Sequence, residues 1–264
     1  MKTLKEKKMK TAIGEKAYTS GYNAYPPGYY GRKMMSASDW AGSQIEKWQK
    51  EEAERKNLND FSQKNCICLS RGIGVGALEV AEFLSERTGY RVIDREIMEY
   101  MAKDSTLTEK IIDFYDERVP GKMRELLVAL SIKKKSYENE YIQQLAKTVT
   151  ALAHTDPTIF VGRGTHLILP RHTILSVHLI CSRKRRIERL SNMLGVDKGE
   201  AEKRLNAIDD ERHEFFKTVY LREKVSADEF DLVINMDFIN SGYQVAQIIA
   251  CAFEQKFQIN FNTN

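Results

Sequence analysis

Cys66-Ile67-Cys68-Leu69-Ser70-Arg71-Gly72-Ile73-Gly74-Val75-Gly76-Ala77-Leu78-Glu79 is the stretch around which the chain is organised. It opens as a short apolar strand and turns through three glycines. It then enters a helix that continues through Val80, Ala81, Phe83 and Leu84. Glycines at 72, 74 and 76 let backbone N–H groups approach a ligand closely, and the following helix presents the positive end of its dipole to an anion. Strand, glycine loop and helix N-terminus together predict a phosphate cradle. In the pattern G-x-x-x-x-G-K-[ST] a lysine and a hydroxyl residue would follow Gly76; Ala77 and Leu78 stand there instead. No lysine occurs between Lys64 and Lys103, so no shift of register supplies one.

Downstream, short apolar runs alternate with helical patterns. Thr88-Gly89 stops the first helix, Tyr90 to Ile93 is a second strand, and Asp94 opens a helix over Glu96 to Lys103. Ser105 to Ser131 reads as two helices broken at Pro120-Gly121. A longer helix spans about Glu138 to His154, with Tyr141, Leu145, Val149 and Leu152 on one side. Thr158 to Val161 is a strand ending in Gly162-Arg163-Gly164, and Leu175 to Ile180 is another. Charged helices follow over Arg183 to Met193 and Lys198 to Tyr220, then a strand at Asp231 to Asn235 and a closing helix over Val245 to Phe257. Five such strands interleaved with helices predict an α/β fold: a parallel sheet covered on both faces, with ligands beyond the strand C-terminal ends.

At 264 residues the chain accommodates one well-buried domain plus an appendage. It has no apolar run long enough to cross a bilayer, and the five lysines before residue 11 are followed by no apolar h-region, so no membrane or secretory role is expected. The net charge of +4 lies wholly in residues 1–60, with 12 Lys/Arg against 8 Asp/Glu; the remainder holds 29 of each. A neutral body argues against a specific nucleic-acid face. Cys66, Cys68, Cys181 and Cys251 lack metal-site spacing and read as small hydrophobes of a reducing cytoplasm. Residues 1–37, rich in Tyr, Gly and Pro, have no periodicity to bury; a helix from about Trp40 to Lys56 with a narrow apolar face follows. The expected division is a basic N-terminal extension over 1–62, suited to a protein partner or self-association, and a folded domain over 63–264.

The Gly-Arg-Gly at 162–164 puts a guanidinium at the active edge of the sheet with space cleared beside it, which suits bidentate phosphate binding. The run Arg183-Lys184-Arg185-Arg186, with acids further on, reads as a helical hairpin that closes over phosphates as a lid. Asp209 and Arg212 share a face of it. His154, His166, His172, His178 and His213 have neither metal-like spacing nor a paired nucleophile; His178 reads as a core or edge residue.

Taken in order, these pieces resemble the cytidylate kinase-like family, a branch of the P-loop nucleoside monophosphate kinases, over roughly Cys66 to Phe257. The resemblance is carried by Leu69-Ser70-Arg71 before the loop, Asp94-Arg95-Glu96, Phe160-Val161-Gly162-Arg163-Gly164 and Ile168-Leu169-Pro170. The Arg186/Arg189 pair, Asp209-x-x-Arg212 and Asp231-Leu232-Val233-Ile234-Asn235 complete it. It implies a P-loop kinase-like fold with a helical lid and transfer of the γ-phosphoryl of ATP, with Mg²⁺, to CMP or a similar monophosphate. By matching positions, the loop from Arg71 and Gly72 through Gly74, Val75, Gly76, Ala77 and Leu78 would hold ATP. Asp94, Arg95, Arg163, Asp209 and Arg212 would bind the acceptor. Arg163, Arg186, Arg189 and Arg212 would carry the catalytic charge; no protein metal ligand is implied. Relatives often read Gly-Ser-Gly-Gly-Arg-Glu across the loop; here Leu78 replaces the arginine, and Arg71 is the candidate substitute. The expectation is a weak phosphotransferase, with a non-catalytic nucleotide-binding regulator or scaffold as the alternative.

Overall fold

The computed structural model describes residues 64–95, 98 and 140–261. The extension over 1–62, the helix beyond Arg95 and the helices expected within 105–131 fall largely or wholly outside these. In chain order the elements are β1 (Cys66–Arg71), α1 (Ala77–Thr88), β2 (Arg91–Asp94), α2 (Glu140–Thr155), β3 (Thr158–Val161), and the single turn α3 (Thr165–Ile168). There follow β4 (Ile174–Ile180), α4 (Arg183–Leu194), α5 (Lys198–Tyr220), β5 (Leu232–Asn235) and α6 (Gly242–Phe257).

The five strands form one sheet in the order β2-β3-β1-β4-β5, parallel at every pairing. This is the P-loop kinase-like arrangement of a parallel sheet flanked by helices. β1 is central and pairs on both sides, Ile67 with Ile159 and with Leu175. It is accordingly apolar at every position from Cys66 to Leu69, because both of its faces are covered. Ile67 and Leu69 join Ile159, Val161, Leu175 and Val177 under α1 and α6, through Val80, Ala81, Leu84, Val245, Ile249 and Phe253. The alternate residues face the other way: Cys66 Sγ lies 4.0 Å from the Ala153 carbonyl of α2, and Cys68 is equally buried. Burial alone pushes the Cys66 thiol up to about 12, so both cysteines act as small hydrophobes.

Helix boundaries follow local capping. Gly89 adopts φ 71° and ends α1, its N–H donating to Ser85 O. Asp197 accepts from Gly199 N and Glu200 N at the start of α5, and Ser182 and Ser241 cap α4 and α6. Tyr90 stands before β2 rather than inside it. Its carbonyl accepts from Ser85 Oγ, its N–H donates to Thr88 Oγ1, and its ring meets Phe253 and Phe261 edge-on. The end of α1 therefore claims the residue and the strand starts one position later. β5 likewise begins at Leu232, because the Asp231 carboxylate is engaged by Ser176 N, Lys256 and Arg171.

Candidate functional site

Parallel pairing puts the C-terminal ends of all five strands on one edge, and the residues singled out from the sequence gather there. Arg71 pairs with Leu179, and Asp94 with Val161, so the glycine loop, Asp94-Arg95, Gly162–Gly164 and the start of α4 are neighbours. They divide into two adjoining parts.

The first part is the glycine loop with the α4–α5 hairpin on top of it. Gly74 and Gly76 have φ of 79° and 97°, a conformation open to glycine at little cost. Gly76 is the N-cap of α1 and offers no side chain to its first N–H groups. The two branched residues of the loop point to different cores. Val75 joins the main core under α1, whereas Ile73 is buried with Leu190 of α4 and Ala201 and Leu205 of α5. Ile73 thus seats the hairpin on the loop, a burial worth about 1.5–3 kcal/mol.

Arginines complete this contact. Arg186 donates from Nε to the Ile73 carbonyl at 2.7 Å and from Nη2 to Asp209 at 2.6 Å. Arg189 Nη2 lies 2.8 Å from Glu79 Oε2. A methyl group on Gly74 would stand 2.7 Å from the Arg186 carbonyl oxygen, and one on Gly76 would stand 2.8 Å from Arg189 Nη2. Arg186 and Arg189 are therefore brought to the loop, and Asp209 to Arg186. Ala77 is buried in the main core and Leu78 packs partly buried against it; neither offers charge.

The second part is a small cleft lined by Arg71, Ile73, Arg95, Gly162, Arg163, Ile208, Arg212, Phe215 and Phe216. Four arginines converge there. Glu211 answers two of them, at 2.6 Å from Arg95 and 3.9 Å from Arg163. Arg163 is buried and held from three sides. Its guanidinium stacks on Phe215 at 4.2 Å, its carbonyl accepts from the Tyr220 hydroxyl at 2.6 Å, and the Tyr220 ring packs against Gly164. These contacts hold a non-glycine residue at φ 49°. Arg212 sits over Phe216 at 5.0 Å, and its Nη2 is buried with no hydrogen-bond partner among the described residues. Burial first, then Arg71 close by, lowers its pKa below the usual guanidinium value. An anion in the cleft would satisfy that donor and offset the crowding of like charges.

Arg71 lines this cleft together with Ile73 of the glycine loop, and its charge lies close to Arg212. Asp94 is buried at the end of β2 and does not line the cleft. Sequence reading counted Glu211 only among the acids of the hairpin and missed Phe215, Phe216 and Tyr220. The available signal for the three aromatics was their spacing, one or two helical turns beyond Arg212 on the same helix. His178 stacks on Phe230 at 4.8 Å, and His166 packs on the same ring; both belong to the interior beneath the sheet edge. Among the described residues no group of His, Cys, Asp and Glu is arranged to hold a metal ion, and no helix is long and apolar enough to cross a membrane.

A model of the cytidylate kinase-like family matches residues 66–238, a span that contains the loop, the cleft and the hairpin. The chain belongs to the cytidylate kinase-like family. Among solved structures, an uncharacterized protein from Eubacterium ventriosum ATCC 27560 aligns with a TM-score of 0.54 and 16% identity, over 75% of this chain and 99% of that one. TT1252 from Thermus thermophilus gives 0.43 and 17%, over 75% and 100%, and a shikimate kinase from Bacteroides thetaiotaomicron gives 0.39 and 13%, over 74% and 99%. At these identities the likeness concerns the fold. No curated protein matches the chain.

Proposed function

We propose that this member of the cytidylate kinase-like family transfers the γ-phosphoryl of ATP to a CMP-like nucleoside monophosphate. The observation that carries the reading is the shared wall between the two parts of the site. Ile73 belongs to the glycine loop and also lines the arginine cleft, so a donor on the loop and an acceptor in the cleft would meet beside it. Phosphoryl transfer requires in-line positioning and positive charge around the transferred group, and little covalent chemistry from the protein.

In this reading Gly72, Gly74, Val75 and Gly76 cradle the donor phosphates, with Ala77 and Leu78 closing the loop into α1. Arg186 and Arg189 bear on those phosphates as lid residues. Arg163, Arg212, Arg95 and Arg71 hold the acceptor phosphate and the charge that builds between the two nucleotides. Asp94 lies at the acceptor side of the sheet edge, and Asp209 orients Arg186. The open glycine backbone and the unsatisfied Arg212 donor fit a polyanion. Mg²⁺ would be carried by the nucleotide's own phosphates and waters, the usual habit of this ion. We place the active domain at 63–264 and assign residues 1–62 to a protein partner or self-association. The compartment is the reducing cytoplasm, in keeping with four free cysteines.

Ala77 and Leu78, standing where cations are expected, favour a second reading: a protein that binds nucleotide without turnover. One assay separates the two. Purified protein is given Mg·ATP with each common nucleoside monophosphate, and ADP formation and binding are followed on the same samples. Acceptor-dependent ADP, lost by at least ~10²-fold in Arg163→Ala, supports the kinase and names its acceptor. Binding with no ADP above the acceptor-free rate leaves the second reading.

A further inference from the structure

The arginines of the cleft arrive from two directions. Arg95, Arg163 and Arg71 stand at or just beyond the C-terminal ends of β2, β3 and β1, which are neighbours in the sheet. Arg212 comes from α5, where positions 208, 211, 212 and 215 share one helical face. Ile208, Arg212 and Phe215 line the cleft, and Glu211 on the same face reaches its arginines. A single carboxylate oxygen, Oε1, lies 2.6 Å from Arg95 Nη2 and 3.9 Å from Arg163 Nη2. Asp209, two residues earlier, turns the other way, to Arg186. Glu211 thus puts an anionic oxygen between two guanidiniums, the place and the charge that a bound phosphate oxygen would have. Its side chain is 24% exposed and can turn to solvent about its own torsions, whereas Arg163, at 6%, is fixed on the Phe215 ring.

We propose that Glu211 is a built-in occupant of the acceptor-phosphate position: its carboxylate holds Arg95 and Arg163 until a phosphate displaces it. This deepens the kinase reading above by adding control over acceptor entry, and it rests on a phosphate binding in the cleft. The exchange decides what the cleft accepts. A monoanion replaces one negative charge with another and gains little. A phosphate dianion brings a second charge, and Arg212 Nη2, buried with no hydrogen-bond partner among the described residues, is a donor left over for its oxygens. Glu211 thereby lowers affinity and raises selectivity for dianions.

The test is calorimetric binding of inorganic phosphate, CMP and cytidine to the full-length wild type, Glu211→Gln and Glu211→Ala at fixed ionic strength. Thermal melts and ADP formation with Mg·ATP are followed on the same samples. Both variants are expected to bind phosphate and CMP ~5-fold tighter or more, because apparent affinity is reduced by the fraction of protein in which the position is already taken. Cytidine, which carries no phosphate, stays within about twofold. Weaker phosphate binding in the variants shows that Glu211 sets the arginines in place for the ligand and overturns the proposal, as does unchanged affinity. A change for cytidine as large as that for CMP puts Glu211 against the nucleoside and overturns it too. Should Glu211→Ala fail to fold, Glu211→Gln, which keeps the shape and loses the charge, decides alone. Tighter phosphate binding without acceptor-dependent ADP upholds the inference and removes the kinase reading. CMP-dependent ADP with no tightening does the reverse, and a cleft that takes up no phosphate in any of the three proteins overturns both.

Discussion

At the scale of single residues, the cleft depends on how Arg163 is held. Its backbone lies in the left-handed region, a cost of about 1–2 kcal/mol for a residue with a side chain. The Tyr220 hydroxyl and the Phe215 ring hold it there against that cost. Tyr220→Phe removes the buried hydrogen bond that the Arg163 carbonyl accepts from the hydroxyl, a loss on the order of 1 kcal/mol. The expected outcome is a KM for the acceptor raised ~5-fold with the Kd for ATP unchanged, because the Tyr220 hydroxyl bonds Arg163 on the acceptor side. A matched rise in both constants would mean that Tyr220 supports the fold at large. None of this was visible beforehand: Phe215, Phe216 and Tyr220 on a helix read most simply as core. Only the tertiary placement of α5 against Gly162–Gly164 makes them neighbours of an arginine more than fifty residues away.

At the scale of elements, the glycine loop and the α4–α5 hairpin behave as one unit through Ile73. Truncating that side chain leaves a cavity among Leu190, Ala201 and Leu205 and should cost about 2–4 kcal/mol. Native-state hydrogen exchange on Ile73→Ala is expected to show protection lost across α4 and α5 while β1 and β4 keep theirs. Uniform loss over the sheet would instead mean that Ile73 belongs to the global core. The elements themselves were largely legible. β3 and α5 fall at the residues their patterns predict, since an apolar run between turns and a capped charged stretch are local signals. α3 was missed because one turn of four residues has no period to detect. The seating of Arg186 on the loop was equally illegible, as its carbonyl partner lies 113 residues away. What the sequence conveyed was that the charges belong to one edge, not which of them touch.

At the scale of the whole molecule, the interior beneath the sheet edge makes the fold sensitive to acid. His166 is buried on the Phe230 ring, with Nε2 3.7 Å from Glu229 Oε2 and Arg171 and His178 among the charges around it. Burial pushes it down to about 4 from an ordinary 6.5, outweighing the pull of Glu229. The unfolded chain therefore takes up this proton before the folded one does. The contribution of a neutral His166 is complete above pH 6.5 and drains away as the pH falls from there towards 4. His178 shifts in the same direction, again chiefly by burial. Melting temperature should fall by roughly 5 °C between pH 7 and pH 4.5, a window above the range of Asp231, whose carboxyl titrates below the ordinary value. His166→Gln should flatten that fall; an unchanged slope would place the acid sensitivity elsewhere.

The crowding of the loop by α4 bears on how this branch of the family is read through descent. A side chain on Gly74 would meet the Arg186 backbone at 2.7 Å and displace the hairpin, and Gly76 is held at φ 97° against the Arg189 guanidinium, whereas Gly72 meets only the flexible end of Arg186. Selection for a folded protein alone would therefore preserve Gly74 and Gly76, even in a lineage that had ceased to turn over nucleotide. Their presence in a relative is no sign of activity. The informative positions are 189 and 79, where packing leaves more freedom and where a lost charge would mark the point at which a kinase became something else.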